Sequence, residues 1–582
     1  MPNIYIDGKK IEATDGETVI NAAFRNGINI PHFCWHPELS ISGNCRMCLV
    51  EIGSPKRNKD GSSVIDADGN LEISYMPKLQ IACNTIVSEG LHIRTNTAKV
   101  KKAREAVMEF ILINHPLDCP ICDEAGQCKL QEYSQIYSNG VSRFEEAKNI
   151  NSKRVEWNEK IMYDAERCIS CGRCIRFTHE IADEDILTFI NRGDKVRIER
   201  FDDAKLQNSY SMNVIDICPV GALTSRDFRF KARVWEMSFN DTICTGCSRG
   251  CNIRAGVKNN KILRLEPRQN VYVNKNWMCD EGRLQYSFIN DNRINTVRIR
   301  KNGTLVESNF EEAISLIQTS LKNISTSQIY FLASSIASTE TNYLLKLFAN
   351  NNLKNNNIVY LDRIDNTFAD NFLKQSYRSP NTDGLKALNI SNIKIEELIS
   401  KINSNSIKAL YILDEDFTFC EELIPVLERL DFLVIHSYNE NEALKYANVV
   451  FPILTFAEQE GTFINCNNRV QYFSPVIKTN NILLSSNAKL NQSRLDKFGA
   501  YNDKWHNKEN VNAFASWSIL SKLCGKNIRT SEDIFKEICN NYNLFKGLNY
   551  DLLVKHRGVV LGNSNPDSEP LQVIYQQNEL RP

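Results

Sequence analysis

The stretch Arg167-Cys168-Ile169-Ser170-Cys171-Gly172-Arg173-Cys174 sets three cysteines at intervals of three residues, and Cys218-Pro219 follows further along the chain. Three thiolates at that spacing converge from one loop onto one metal centre, and a remote Cys-Pro supplies the fourth ligand. The pattern predicts a [4Fe–4S] cluster on Cys168, Cys171, Cys174 and Cys218, the third of four such sets in chain order.

Upstream lies the second set, His115, Cys119, Cys122 and Cys128, spaced H-x3-C-x2-C-x5-C. A lone histidine is ordinarily a surface or core residue. This one stands just before three cysteines that otherwise lack a fourth partner. Imidazole replaces thiolate on iron, and a neutral ligand makes a cluster less negative and raises its reduction potential. A second [4Fe–4S] cluster is expected there. The first set is Cys34, Cys45, Cys48 and Cys83, spaced C-x10-C-x2-C-x34-C. It follows the plant-type two-iron logic with a longer first loop, so a [2Fe–2S] cluster is expected. Gly43, Asn44, Arg46 and Met47 lie in that loop, whose backbone amides suit hydrogen bonding to sulfur. Four thiolates also satisfy tetrahedral zinc. Around this set, residues 3–13 alternate about Asp7-Gly8, a two-residue hairpin turn. Asp15 is expected to cap a helix carrying Val19, Ile20, Ala23 and Phe24, with Gly27 just past its end. Hairpin, helix and cysteine loop together open a β-grasp ferredoxin-type fold. Residues 53–74 read as a solvated insertion. Residues 97–114 read as a helix with Val100, Ala103, Val107, Phe110 and Ile111 on one face.

Downstream, the fourth set is Cys244, Cys247, Cys251 and Cys279, spaced C-x2-C-x3-C-x27-C, for another [4Fe–4S] cluster. The count now closes. Fifteen of the 19 cysteines lie between Cys34 and Cys279, and with His115 they fill four sets of four. Four unrelated zinc sites need the same coincidence without explaining the Cys-Pro. Cys420, Cys466, Cys524 and Cys539 are isolated and read as small buried hydrophobes. A disulfide scaffold is short and cysteine-dense throughout, unlike this 582-residue chain. Lys+Arg and Asp+Glu number 70 each, so no basic surface for nucleic acid organises the protein. No run of about 18 apolar residues predicts a membrane span. Met1-Pro2-Asn3-Ile4 has no basic, apolar or Arg-rich targeting pattern, so the expectation is a chain in the cytosol or facing a reducing compartment.

From about residue 298 cysteines thin out. The apolar runs 329–332, 358–361, 409–413 and 432–435 alternate with helical stretches, one of them around 339–349. That alternation predicts a doubly wound α/β domain, although no Gly-rich phosphate loop is present.

With these motifs placed, the chain resembles the large iron–sulfur subunit of respiratory NADH:quinone oxidoreductase, complex I. The resemblance is carried by Pro31-His32-Phe33-Cys34, residues 43–51 (GNCRMCLVE), residues 114–123 (NHPLDCPICD), residues 167–174 and residues 216–223 (DICPVGAL). It is strong over residues 1–290. It implies an α+β multidomain fold: a 2Fe-2S ferredoxin-type domain at 1–95, a 4Fe-4S domain with one histidine and three cysteine ligands at 96–135, a 4Fe-4S ferredoxin-like domain at 136–236 and a 4Fe-4S domain of the Mo/W bis-MGD type at 237–297. Residues 298–582 then form a truncated molybdopterin-oxidoreductase-like α/β domain. Ala447-Asn448-Val449-Val450-Phe451-Pro452 and residues 458–463 (EQEGTF) carry that weaker likeness, and no molybdenum-binding cysteine stands where one is expected. The implied role is electron transfer without a substrate site of its own. Electrons leave a flavin-bearing NADH-binding subunit, enter at Cys34/Cys45/Cys48/Cys83, pass to Cys168/Cys171/Cys174/Cys218 and then to His115/Cys119/Cys122/Cys128. They leave for a ferredoxin-like subunit on the way to quinone. The Cys244–Cys279 cluster stands off this path. Other peripheral-arm subunits are implied partners, with membrane association only indirect, on the cytoplasmic side of the inner membrane. Two rivals, a molybdenum formate dehydrogenase and an iron-hydrogenase-type subunit, need ligands or cysteine motifs that the chain does not offer.

Overall fold

A computed structural model describes residues 1–66, 69–138, 140–479, 483–497, 511–563 and 572. The chain divides into two units, Met1–Val234 and Trp235–Gln572.

The first unit opens with the hairpin that Asp7-Gly8 turns: β1 (Asn3–Ile6) pairs antiparallel with β2 (Lys9–Glu12), Ile6 opposite Lys9. Helix α1 (Val19–Arg25) buries Val19, Ile20, Ala22 and Ala23. Its N-cap is Thr18, not Asp15. Residues 14–17 are taken up by a turn in which the Glu17 amide donates to the Thr14 carbonyl and the Thr14 amide to the Glu17 carboxylate. Gly27 follows with φ +71°, the left-handed conformation that closes a helix and suits glycine. Strands β3 (Leu49–Pro55), β4 (Ile73–Tyr75), β5 (Gln80–Ile81) and β6 (Leu91–Arg94) complete a sheet ordered β2-β1-β6-β3-β4, with β5 beside β3. β1 and β6 run parallel, the closing pair of a β-grasp sheet. The expected solvated insertion is in part a ribbon. β3 pairs with β4, and Arg57–Ser63 and Ile65–Leu71 bridge further out. Ala67 and Asp68 of that insertion lie outside the described residues.

Helix α2 (Ala98–Asn114) is capped by the Thr97 hydroxyl, which accepts from the Val100 amide. It is followed by α3 (Lys129–Tyr137). Beyond come β7 (Val155–Glu156), β8 (Ile161–Tyr163), α4 (Arg173–Glu180), β9 (Leu187–Ile190), β10 (Arg197–Arg200), α5 (Asn213–Ile217) and β11 (Leu223–Ser225). These are short elements strung between cysteines, with β11, β8 and β7 forming one small sheet.

The second unit begins with the antiparallel sheet β12 (Ser238–Ile243), β13 (Asn252–Lys258) and β14 (Lys261–Pro267), then α6 (Asp280–Leu284). Its centre is an eight-stranded sheet. The antiparallel pair β15 (Val297–Lys301) and β16 (Thr304–Ser308) flanks the parallel strands β17 (Ile329–Ala333), β18 (Ile358–Leu361), β19 (Ser391–Ile393), β20 (Ala409–Ile412), β21 (Phe432–Ser437) and β22 (Val449–Pro452). The spatial order is β16-β15-β22-β21-β20-β17-β18-β19, so the order in which the parallel strands are added turns back between β17 and β20. This is a doubly wound sheet. Strands buried on both faces read as continuous apolar runs, and every residue of β20 and β21 is buried. Successive residues serve opposite cores: Phe331, Tyr411, Val434 and Phe451 one face, Leu332, Leu410, Leu433 and Val450 the other. At the reversal, Arg363 after β18 and Glu415 after β20 form an ion pair at 2.6 Å, each 2% exposed, and the Ser334 hydroxyl donates to the Asp414 carbonyl.

Glu340, fully buried, accepts from the Thr462 amide and hydroxyl and from the Tyr550 hydroxyl at 2.9–3.0 Å. Burial raises its carboxyl from 4.5 to about 7. An unfolded chain ionises this carboxyl first as pH rises. Its contribution to stability therefore falls between about pH 4.5 and pH 7 and is flat above. Glu340→Gln is expected to flatten that slope in denaturant titrations of the chain across this range. An unchanged slope would assign the pH dependence elsewhere.

Candidate iron–sulfur centres

The first set sits between α1 and β3, with Cys83 just beyond β5. Cys34, Cys48 and Cys83 are at most 1% exposed. Cys34 lies within hydrogen-bonding reach of Cys45, and Cys48 of Cys83. The loop bends through Gly43 (φ +63°), where a Cβ would meet Ile81 at 2.9 Å, and through Arg46 (φ +57°). The hydrogen bond with Cys45 pulls the Cys34 thiol down to about 5, helped by Arg176 and Arg173 and opposed by burial.

In the second set, His115 caps the end of α2, Cys119 opens the short turn Cys119–Ile121, and Cys128 caps α3. Cys122 and Cys128 face each other electrostatically. The Cys122 amide donates to the Cys119 carbonyl at 3.3 Å, and Cys119 is exposed. Arg167 is the charged neighbour that His115 and Cys122 share. The His115 Nδ1 atom is buried and has no hydrogen-bond partner among the described residues. Burial, with Lys148 and Arg167, lowers its pKa to about 4, so the ring is neutral at pH 7. A neutral imidazole with an unspent nitrogen fits a metal ligand.

The third set lies on the loop between β8 and α4, turned by Ser170 (φ +52°) and Gly172 (φ +70°), with Cys218 at the end of α5. All four thiols line one cavity together with Tyr163, Arg173, Ile198 and Leu223. A donor set spread around an apolar cavity suits a multi-atom core. Burial pushes Cys168 up to about 11 and Cys174 and Cys218 well above the ordinary thiol value, while the buried Tyr163 hydroxyl faces Cys168.

These three sets are tied to one another by side chains. Arg176 donates to the Cys34 carbonyl at 2.6 Å and to that of Ser40, and Asn44 donates to the Ser170 carbonyl. Arg167 binds Asp118 at 2.9 Å and Asp164 at 3.4 Å, and Lys153 adds Asp118, Asp164 and Glu166. The segment after Cys218 backs the second set. Cys128 Sγ is 4.0 Å from the Pro219 carbonyl, and a Cβ on Gly221 would stand 2.1 Å from Cys122 Sγ.

In the fourth set, Cys244 ends β12, Cys251 precedes β13, and Cys279 caps α6, accepting from the Gly282 amide at 3.3 Å. Cys251 faces the other three thiols electrostatically. A Cβ on Gly282 would lie 3.0 Å from Cys244 Sγ and 3.3 Å from Cys279 Sγ. Burial raises Cys244 to about 12. Among the described residues, no three His, Cys, Asp or Glu side chains converge at single-ion spacing.

Sequence reading misses the arginines Arg167, Arg173 and Arg176, and the glycines Gly221 and Gly282. A basic residue inside a cysteine run is the available signal for the arginines. Nothing local marks the glycines, because the sulfurs they clear come from elsewhere in the chain. The four isolated cysteines also need correction. Only Cys420 is buried; Cys466, Cys524 and Cys539 are partly exposed, the last two packed at the edge of the larger core of the α/β unit. Cys466 neighbours Cys247, its amide donating to the Ser248 carbonyl at 2.8 Å.

Gly221→Ala should push Cys122 aside. The expected result is loss of one cluster's low-temperature magnetic-resonance signal with circular dichroism unchanged. Retention of every signal would show that the contact yields.

Five family models match in chain order. They are a 2Fe-2S iron-sulfur cluster binding domain (residues 2–98), the NADH-ubiquinone oxidoreductase-G iron-sulfur binding region (104–143), the ferredoxin-like domain of NADH-quinone oxidoreductase subunit 3 (158–224), the molybdopterin oxidoreductase Fe4S4 domain (237–291) and molybdopterin oxidoreductase (381–481). The G subunit of the Rickettsia felis NADH-quinone oxidoreductase is 39% identical over 377 residues, 64% of this chain and 53% of that protein. Subunit 3 of the Thermus thermophilus NADH-quinone oxidoreductase is 38% identical over 335 residues, 55% of this chain and 43% of that one. The NADH-ubiquinone oxidoreductase 75 kDa subunit of Reclinomonas americana is 38% identical over 328 residues, 56% and 44% of the two chains. The chain spans about half the length of the curated relatives it matches. With its iron–sulfur domains in that order, it is similar over that half to the G subunit and subunit 3 of the NADH-quinone oxidoreductases.

Proposed function

We propose that this chain is the electron-conducting subunit of an NADH-quinone oxidoreductase. Cys34, Cys45, Cys48 and Cys83 would hold a [2Fe–2S] cluster. Three [4Fe–4S] clusters would be held by His115 with Cys119, Cys122 and Cys128, by Cys168, Cys171, Cys174 and Cys218, and by Cys244, Cys247, Cys251 and Cys279. When bound, such clusters supply one-electron carriers between a flavin-bearing, NADH-oxidising partner and, through a ferredoxin-like partner, quinone. The chain's own residues bury most of the thiols, aim backbone amides at several of them and hold His115 neutral.

The observation that carries this reading is the set of side-chain ties in the first unit. Arg173 and Arg176 join the first set to the third, and Arg167–Asp118 with Pro219 and Gly221 joins the third to the second. That sequence of neighbours agrees with entry at the first set and exit from the second. The fourth set lies in the other unit, and its place off the path is part of the proposal. No helix among the described residues is long and apolar enough to cross a membrane, so attachment through other peripheral-arm subunits, on the cytoplasmic side of the inner membrane, completes the proposal.

The purified chain should carry about 14 iron atoms, two in one cluster and four in each of three. A colourless, zinc-bearing protein would sink the reading. His115→Ala is expected to remove one magnetic-resonance signal and leave three, whereas four unchanged signals would release His115 from ligation. Cys251→Ser in the assembled complex should lose the fourth signal and keep NADH-to-quinone turnover. Abolished turnover in a stably assembled enzyme would place that centre on the path.

A further inference from the structure

Arg173 is the first residue of α4 and is wholly buried. Its guanidinium reaches to both sides. One nitrogen donates to the Trp35 carbonyl at 2.5 Å, the peptide next to Cys34, and the other donates to the Ile217 carbonyl at 2.9 Å, the peptide next to Cys218. The sulfurs facing it are those of Cys171, Cys34 and Cys45, drawn from both the first and the third set. It also lines the third set's cavity.

A guanidinium stays protonated in proteins and is fixed in a planar fork. Taking one wholly out of water is costly unless anionic charge lies close by. Thiolate-ligated clusters are anionic and become more so on reduction. A buried cation between two of them therefore favours the reduced form of each. Buried charges are also screened little by salt.

We propose that Arg173 is a shared positioning residue that ties the loops of the first and third sets together and raises the reduction potentials of both centres with one charge. This rests on reading those two sets as cluster ligands, and it goes beyond that reading by assigning one residue to two centres. One added electron at either centre is balanced by the same fixed cation, so the two potentials move together when it is changed.

The test uses the full chain with its clusters and reads midpoint potentials by magnetic-resonance-monitored redox titration. The wild-type chain must first show the [2Fe–2S] and [4Fe–4S] signals; failure there refutes the ligand reading itself, before Arg173 is touched. Arg173→Gln is then expected to lower the midpoints of the first and third centres together, at low and high ionic strength alike, leaving those of the second and fourth in place. Arg173→Lys is expected to bring both most of the way back. Unmoved midpoints in Arg173→Gln, or movement of only one centre, would overturn the proposal, as would a lysine variant that behaves like glutamine. If Arg173→Gln fails to load the two centres, loading of both in Arg173→Lys supports the charge role. Loss of both in Arg173→Lys as well would reduce Arg173 to its hydrogen bonds and overturn the proposal.

Discussion

Sulfur kept away from water governs this protein. In the third and fourth sets every thiol is raised above its ordinary value, with burial the leading cause each time. A thiol in that setting keeps its proton until a bound cation displaces it, so metal uptake and proton release are one event. Much of the surrounding architecture answers the charge that results. Cys128 and Cys174 sit at the N-terminal ends of α3 and α4, where free amides and the helix dipole favour negative sulfur. Buried arginines stand beside the thiols of the first unit, and small glycines let sulfur and backbone approach.

The cysteine groupings are legible because covalent reach dictates their spacing: cysteines a few residues apart on one loop stay close together in the fold. The Asp7-Gly8 hairpin and the parallel strands of the α/β unit are legible for similar reasons, since turn chemistry and unbroken apolar runs are local signals. What escapes is set by competing local turns and by contacts distant in sequence. Thr18 takes the cap from Asp15 because a turn through Glu17 uses the intervening residues. Residues 53–74 look like loop by composition, yet backbone pairing extends the β3–β4 ribbon into them. Arg173 is an ordinary basic residue within its own motif, and its place is known only once Trp35 and Ile217 arrive on either side of it.

The α/β unit carries a buried ion pair at the point where its strand order turns back. Its strand order reverses between β17 and β20, and sheets of this kind place ligands at the carboxyl ends beside such a reversal. Here the loops on either side are joined by the buried Arg363–Glu415 pair. Removing one partner of such a pair leaves an uncompensated buried charge, so the two side chains are retained together. The architecture persists with its crossing loops tied to each other.

The four residues Cys218-Pro219-Val220-Gly221 touch two cysteine sets within one short span: the thiol lines the third set's cavity, while the Pro219 carbonyl and the bare Gly221 Cα abut sulfurs of the second. Such a span has no freedom in length. Adding or deleting one residue there shifts one end against the other and disturbs both cysteine sets at once.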